Sequence, residues 1–418
     1  MNWKGKKILV VGCGISGIGA TELLEKVGAA PILFDENTKV DADVVRGKFK
    51  KGTNADIIIG QLPKEKEAEI EMVVLSPGVP SDTVFADSFR KRNIPVIGEI
   101  ELAYLCGQGA ILAITGTNGK TTITALTGKI MQEYFASSYI VGNIGNPYTN
   151  VALEMQENTV TVAEISSFQL ETIEKFHPKV SAILNITPDH LDRHHTMENY
   201  VKTKQDITKN QTKDDVCVLN YEDPYTKEFA DRCSAKVVYF SSARKLEDGY
   251  FLDGEEIKYS KDGAEVTLMN IHDMRLLGIH NVENVMAAIA IAAMWLMNIF
   301  ARGARSTLSI AYAALMVVIA VALVLSLQAP EARQNPAAAS ARQPDVQDWT
   351  APYYASTASA SATPAAYVIE ETSTSVAQKQ LESFILGWRQ GEIPAMLPMC
   401  APSWVAKQQS PETALWNL

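Results

Sequence analysis

Four residues in the stretch AILAITGTNGKTT (110–122) carry the first chemical signal: Gly116, Gly119, Lys120 and Thr121. Glycines let backbone N–H groups close around phosphate oxygens, a lysine ammonium reaches the outer phosphates, and a threonine hydroxyl can sit on Mg²⁺. The spacing departs from the usual G-x-x-x-x-G-K-[ST], because Ile114 stands where the first glycine would be. Gly and Asn are also common in ordinary strand-to-helix turns. Gly-Lys-Thr-Thr between an apolar run and a helix-compatible run (123–134) weighs against that reading and favours a nucleoside triphosphate site.

A second group follows downstream. Glu164 opens EISSFQL (164–170), and Asp189 and His190 lie in TPDHLDRHH (187–195), each after an apolar run. Carboxylates and imidazoles at strand ends beside a phosphate loop are where Mg²⁺ ligands belong, since hard cations take oxygen ligands and bridge phosphates. Of the histidines, only His190 is selected. His177 and His272 read as turn residues, and His194 and His195, after an Asp-Arg pair, as exposed side chains. A histidine-rich zinc site is not expected. Lys202 reads as a solvated surface lysine.

A third group is Gly12-Cys-Gly14-Ile-Ser-Gly17 with Asp35 further on, the G-x-G-x-x-G pattern of a helix N-terminus meeting a pyrophosphate. Alone it leaves two other readings open: a dehydrogenase, or a tightly packed turn without ligand. Ser76-Pro-Gly78 ends another apolar run, where open α/β sheets place ligands.

Strand–helix alternation must position these groups. Strands are expected at 7–11, 31–34, 71–75 and 95–97 in a first unit, and at 110–114, 160–163, 180–186, 216–219 and 237–240 in a second, with a helix capped by Asn281 closing it. The expected fold is α/β: a Rossmann-like domain over residues 1–105 and a P-loop-type central domain over 106–300. At 418 residues there is room for two or three domains, and a net charge of −10 argues against a nucleic-acid surface. Five scattered cysteines without a C-x-x-C pair fit a reducing compartment.

Taken together, TGTNGKTT (115–122), EISSFQL (164–170), NITPDHLDRH (185–194) and HNVEN (280–284) resemble the Mur ligases of peptidoglycan synthesis over residues 1–295. SSFQL, with the glycine fingerprint and Ser-Pro-Gly, resembles the branch that adds D-glutamate. The resemblance implies an ATP-dependent amide ligase joining D-glutamate to UDP-N-acetylmuramoyl-L-alanine through an acyl phosphate. Its first domain would hold UDP rather than NAD. It implies catalytic roles for Lys120, Glu164, His190 and Lys204, with Mg²⁺ on Thr121, Glu164, His190 and a carbamylated Lys204. ATP would also meet Gly116, Thr117, Asn118, Gly119, Thr122, Asn281 and Asn284. The sugar nucleotide would meet Ser16, Gly17, Asp35, Gly78, Asn143 and Ser166. The head is expected to be cytoplasmic and monomeric.

The composition changes near residue 295, after which only two lysines and five arginines occur. The family's third domain, expected after the Asn284 helix, has no counterpart in the later residues, so turnover is expected to be impaired. Residues 308–327 are twenty uncharged positions preceded by Arg302 and Arg305, the pattern of a membrane span (306–328) with the head inside. A low-complexity linker (329–373) and a small helical module (374–418) follow. The rival to the ligase is therefore a non-catalytic, membrane-tethered nucleotide and UDP-sugar-binding fusion protein.

Overall fold

The computed structural model describes residues 2–50, 52–143, 145–274 and 278–301. The span, linker and helical module expected beyond residue 305 lie outside the described residues. Two sheets organise the described residues. The first contains β1 (Lys7–Val11), β2 (Ala30–Asp35), β3 (Asp56–Ile59), β4 (Met72–Leu75) and β5 (Val96–Gly98), all parallel, in the order β3-β2-β1-β4-β5. Its strands are near-continuous aliphatic runs because helices cover both faces. The chain leaves β1 in one direction and returns beside it as β4, so the loop after β1 and Ser76 after β4 flank the switch point.

The second sheet comprises β6 (Ala110–Thr115), β7 (Ser138–Gly142), β8 (Val160–Glu164), β9 (Val180–Ile183), β10 (Val216–Asn220), β11 (Lys236–Ser241), β12 (Gly249–Asp253), β13 (Glu256–Lys261) and β14 (Ala264–Asn270). Their order is β14-β13-β12-β11-β10-β9-β6-β8-β7. The strands from β7 to β12 are parallel, and β12, β13 and β14 form an antiparallel meander. Here β6 lies between β8 and β9, so its loop also opens at a switch point. The pairs Ile114↔Glu164 and Thr115↔Ile183 bring the ends of all three strands level.

Several boundaries differ from the sequence reading. The strand expected over 180–186 stops at Ile183, because residues 184–186 bend to meet the phosphate loop. The helix expected from 123 begins at Lys120, since Gly119 takes a left-handed turn (φ 85°) that starts it three residues earlier. The final helix, Ile279–Ala301, starts before Asn281, which therefore sits in its first turn and is not its cap. β3, β7 and the meander were not anticipated.

Helix Ile279–Ala301 includes the one segment among the described residues long and apolar enough to cross a membrane (Ile279–Asn298), yet 72% of that apolar window is buried. Val285, Met286, Ala287, Ala288, Ile289 and Ala290 are fully enclosed against helix Lys120–Tyr134 and strands β9 to β12. Burial of each larger aliphatic among them stabilises the fold by about 1.5–3 kcal/mol, which explains a core helix without a bilayer. The two sheets are joined through the segment after β8. The Glu101 carboxylate accepts from the N–H groups of Glu174, Lys175 and Phe176 at 2.8–2.9 Å, and Gly98 donates to the Thr172 carbonyl.

Candidate functional site

The loop after β6 is held open from below. Thr117 N–H donates to the Asn185 carbonyl at 2.9 Å, Asn118 N–H to the Asn185 side chain at 2.8 Å, and Asn185 Nδ2 returns a bond to the Asn118 carbonyl at 3.1 Å. Tyr200 OH and Thr117 Oγ1 lie 3.1 Å apart. Gly119 must be glycine for two reasons: its φ is left-handed, and a Cβ there would stand 2.5 Å from Asn284 Oδ1. Asn284 is thus packed against the phosphate loop, and it donates to Asn281 Oδ1 at 3.1 Å.

At the mouth of the sheet, Thr121 donates to Glu164 Oε2 at 3.0 Å and Asn143 to Oε1 at 3.1 Å. Glu164 is buried, the last residue of β8. Lys120 Nζ turns back onto the carbonyls of Gly116 (2.8 Å) and Thr117 (2.7 Å). Lys204 Nζ reaches the same Gly116 carbonyl at 2.8 Å and lies 4.6 Å from the centre of the Tyr200 ring. Lys204 is 2% exposed, and burial, reinforced by the nearby charge of Lys120, pushes its ammonium down to about 7. Burial also lowers Lys120, against the pull of Glu164 and Asp189. Lys202, in contrast, is exposed as expected. The structure therefore brings Thr121, Glu164, Asn143, Lys120 and Lys204 to one place.

His190 is attached less directly. It occupies a left-handed backbone position (φ 50°), half exposed, 3.4 Å from Asp189 Oδ2 and 4.9 Å from the Phe168 ring, centre to centre. His194 corrects the sequence reading: it is 5% exposed, with Nε2 3.0 Å from Ser167 Oγ, and burial lowers its pKa. The loop-and-helix turn of 190–195 folds it under Phe168, whereas His195 remains exposed beside Asp82. His177 pairs with Asp215 at 2.7 Å. Although His190 and His194 are four residues apart, no group of three or more His, Cys, Asp or Glu among the described residues could hold a metal. The donors present, the Thr121 hydroxyl and Glu164 carboxylate, suit a hard cation that completes its shell with phosphate oxygens and water.

In the first sheet, Asp35 Oδ2 accepts from Cys13 N–H at 3.0 Å and Oδ1 from Asn37 N–H at 3.0 Å. Ser16 lies in the first turn of helix Ile15–Lys26, Gly17 is buried beneath the loop, and Gly78 is an exposed turn residue past β4. Ser166 caps the short helix Ser167–Leu170 in a capping box with Gln169. Three residues the sequence reading gave no role prove central: Asn185, Tyr200 and Gln169. Tyr200 was legible in principle, because it precedes Lys204 by four residues and so shares its helix face.

Residues 6–98 match the family profile described as the Mur ligase MurD-like N-terminal domain, and residues 114–292 match the Mur ligase middle domain. The chain is 56% identical over 291 residues to the UDP-N-acetylmuramoylalanine–D-glutamate ligase of Lachnospira eligens, a match covering 69% of this chain and 64% of that protein. It is 52% identical to the ligase of the same name from Lachnoclostridium phytofermentans and 45% identical to that of Clostridioides difficile, each over 70% of this chain and 64% of the relative. The chain therefore spans somewhat less than two thirds of the length of these relatives. They are ligases, so they do not favour the rival reading of a non-catalytic tethered binding module. With both profiles matched in order, residues 6–292 identify the chain as a member of the Mur ligase family.

Proposed function

We propose that the chain acts as an ATP-dependent carboxylate–amine ligase that adds D-glutamate to UDP-N-acetylmuramoyl-L-alanine, in the cytoplasm, as part of peptidoglycan synthesis. The observation that carries this reading is the convergence of Lys120, Thr121, Glu164 and Lys204 on one strand-end mouth. A carboxylate is a poor electrophile, so ATP first phosphorylates the terminal carboxylate of the muramoyl-alanine substrate. Lys120, released from its loop carbonyls, offsets charge on the transferring phosphoryl group, and the loop N–H groups hold the remaining phosphates in line. Bound Mg²⁺, held by Thr121 and Glu164 with His190 at the margin, would supply charge neutralisation between the phosphates. The amine of D-glutamate then attacks the acyl phosphate, and phosphate leaves from a tetrahedral intermediate. No protein nucleophile is required.

Lys204 fits a carbamate. Its buried amine is pushed down to about 7, so a neutral fraction exists near neutral pH that can attack CO₂ and lose a proton. The resulting anion would replace a cation that otherwise opposes Lys120. Asn143 and Ser166 are proposed to face the acyl end of the substrate, with Ser16, Gly17, Asp35 and Gly78 around the UDP and Asn281 and Asn284 beside the ATP. The test is phosphate release by the full chain. Release that requires both UDP-N-acetylmuramoyl-L-alanine and D-glutamate, and disappears in Lys120→Ala, supports the reading. ATP hydrolysis indifferent to both substrates would overturn it.

A further inference from the structure

Glu99 opens the helix Glu99–Cys106 directly after β5, and only 3% of it is exposed. Its Oε1 accepts from Gln169 Nε2 at 2.8 Å, and its Oε2 has no hydrogen-bond partner among the described residues. The residue lines a small cleft between the sheets, with Ser76 and Val79 on one side and Phe168, Gln169 and Thr172 on the other. Gln169 is itself committed, because its Oε1 accepts from both the N–H and the hydroxyl of Ser166 at 2.9 and 3.0 Å. A hydrogen-bonded chain thus runs from the first sheet, through Glu99 and Gln169, to the turn two residues beyond Glu164.

The charges around Glu99 do not compensate it. On its own helix, Glu101 is occupied by the N–H groups of residues 174–176. Across the cleft, Glu171 is held by Arg193 at 2.7 Å, with His194 at 3.8 Å from the same carboxylate. The turn after β4 brings only the uncharged Ser76, Pro77 and Val79. A carboxyl enclosed this far without a cation favours its neutral form.

We propose that Glu99 carries a proton in the folded chain and is a positioning residue, holding through Gln169 the Ser166 side of the cleft in register with the first sheet. Burial, opposed by the Gln169 bond, pushes its carboxyl up to about 7, consistent with this placement. Ionisation puts an unpaired charge in the joint and loosens it. The identity of the affected ligand rests on the ligase reading; the proton does not.

Two measurements on the full chain separate them. With glutamate labelled by carbon-13 at the side-chain carboxyl, one resonance, missing in Glu99→Gln, titrates near neutrality. If that resonance titrates in the ordinary carboxylate range, the proposal is overturned whatever the ligand. Calorimetry at pH 6.5 and 8.5 then compares UDP-N-acetylmuramoyl-L-alanine with Mg-ATP. Wild type loses roughly tenfold in sugar-nucleotide affinity relative to Glu99→Gln at the higher pH, as one proton allows, and the Mg-ATP ratio stays level. Equal pH slopes in the two proteins would overturn the positioning role. A wild type that binds no sugar nucleotide at either pH would overturn the ligase reading, and the positioning role with it.

Discussion

The loop after β1 and the loop after β6 occupy equivalent places, each leading from a strand at a switch point into a helix N-terminus, where aligned N–H groups favour anions. Their chemistry differs. The second loop carries its own cation, Lys120, with Lys204 buried behind it and a carboxylate, Glu164, across the mouth. The first carries no lysine within the loop; the Asp35 carboxylate accepts from Cys13 N–H, and the neighbouring positive charge at Cys13 comes from Lys48, outside the loop. Burial, aided by Asp35, pushes the Cys13 thiol up to about 12, so it is not a nucleophile near neutral pH. A site with cations and a carboxylate can neutralise and transfer a phosphoryl group. One whose loop offers only backbone donors and a carboxylate can hold a ligand but has no cation of its own with which to activate it. On the proposed ligase reading, the second loop takes the chemistry and the first the anchoring.

The largest effect is expected from packing in the anchoring loop. A Cβ on Gly17 would stand 1.8 Å from the Gly12 carbonyl oxygen, so Gly17→Ala should cost about 3 kcal/mol or more, read as a fall in the unfolding midpoint. At the joint, Glu99 has a folded-state pKa raised from 4.5 to about 7, so its stabilising contribution is full below pH 4.5 and is lost as pH rises through 7. Glu99→Gln should therefore match wild type at pH 4.5 and exceed it by up to about 3 kcal/mol above pH 8, checked by denaturant unfolding at both. In the second loop, Lys120→Ala should weaken Mg-ATP by about 2 kcal/mol while leaving the sugar nucleotide untouched, as read by calorimetry. Asp35→Ala should do the reverse at smaller scale, about 1 kcal/mol in uridine nucleotide affinity with Mg-ATP unchanged. If Lys120→Ala weakened both ligands equally, the distinction between the loops would fail.

The sequence disclosed the two loops and most parallel strands, because short apolar runs ending at glycine are local signals. Glu164 was legible in the same way, because it ends an apolar strand, whereas Lys204, inside helix Met197–Gln205, was reached only through the resemblance to the Mur ligases. What escaped was pairing across long separations: Glu99 with Gln169, Thr117 with Tyr200, and Asn118 with Asn185 are each about seventy or more residues apart. His194 looked like a surface residue beside Asp-Arg, but ring contacts with Phe168 and Tyr200 bury it. The meander went unread although a local signal for it is present. Asp262 and Gly263 both have positive φ between paired Lys261 and Ala264, the tight hairpin turn that an Asp-Gly dipeptide favours.

The division of labour is tested most directly by saturating the full chain with UDP-N-acetylmuramoyl-L-alanine and then titrating Mg-ATP by calorimetry. One further equivalent of Mg-ATP should bind with undiminished affinity, and Lys120→Ala should weaken only that second event. Displacement of the sugar nucleotide by Mg-ATP would mean that both compete for one loop, and would contradict the account.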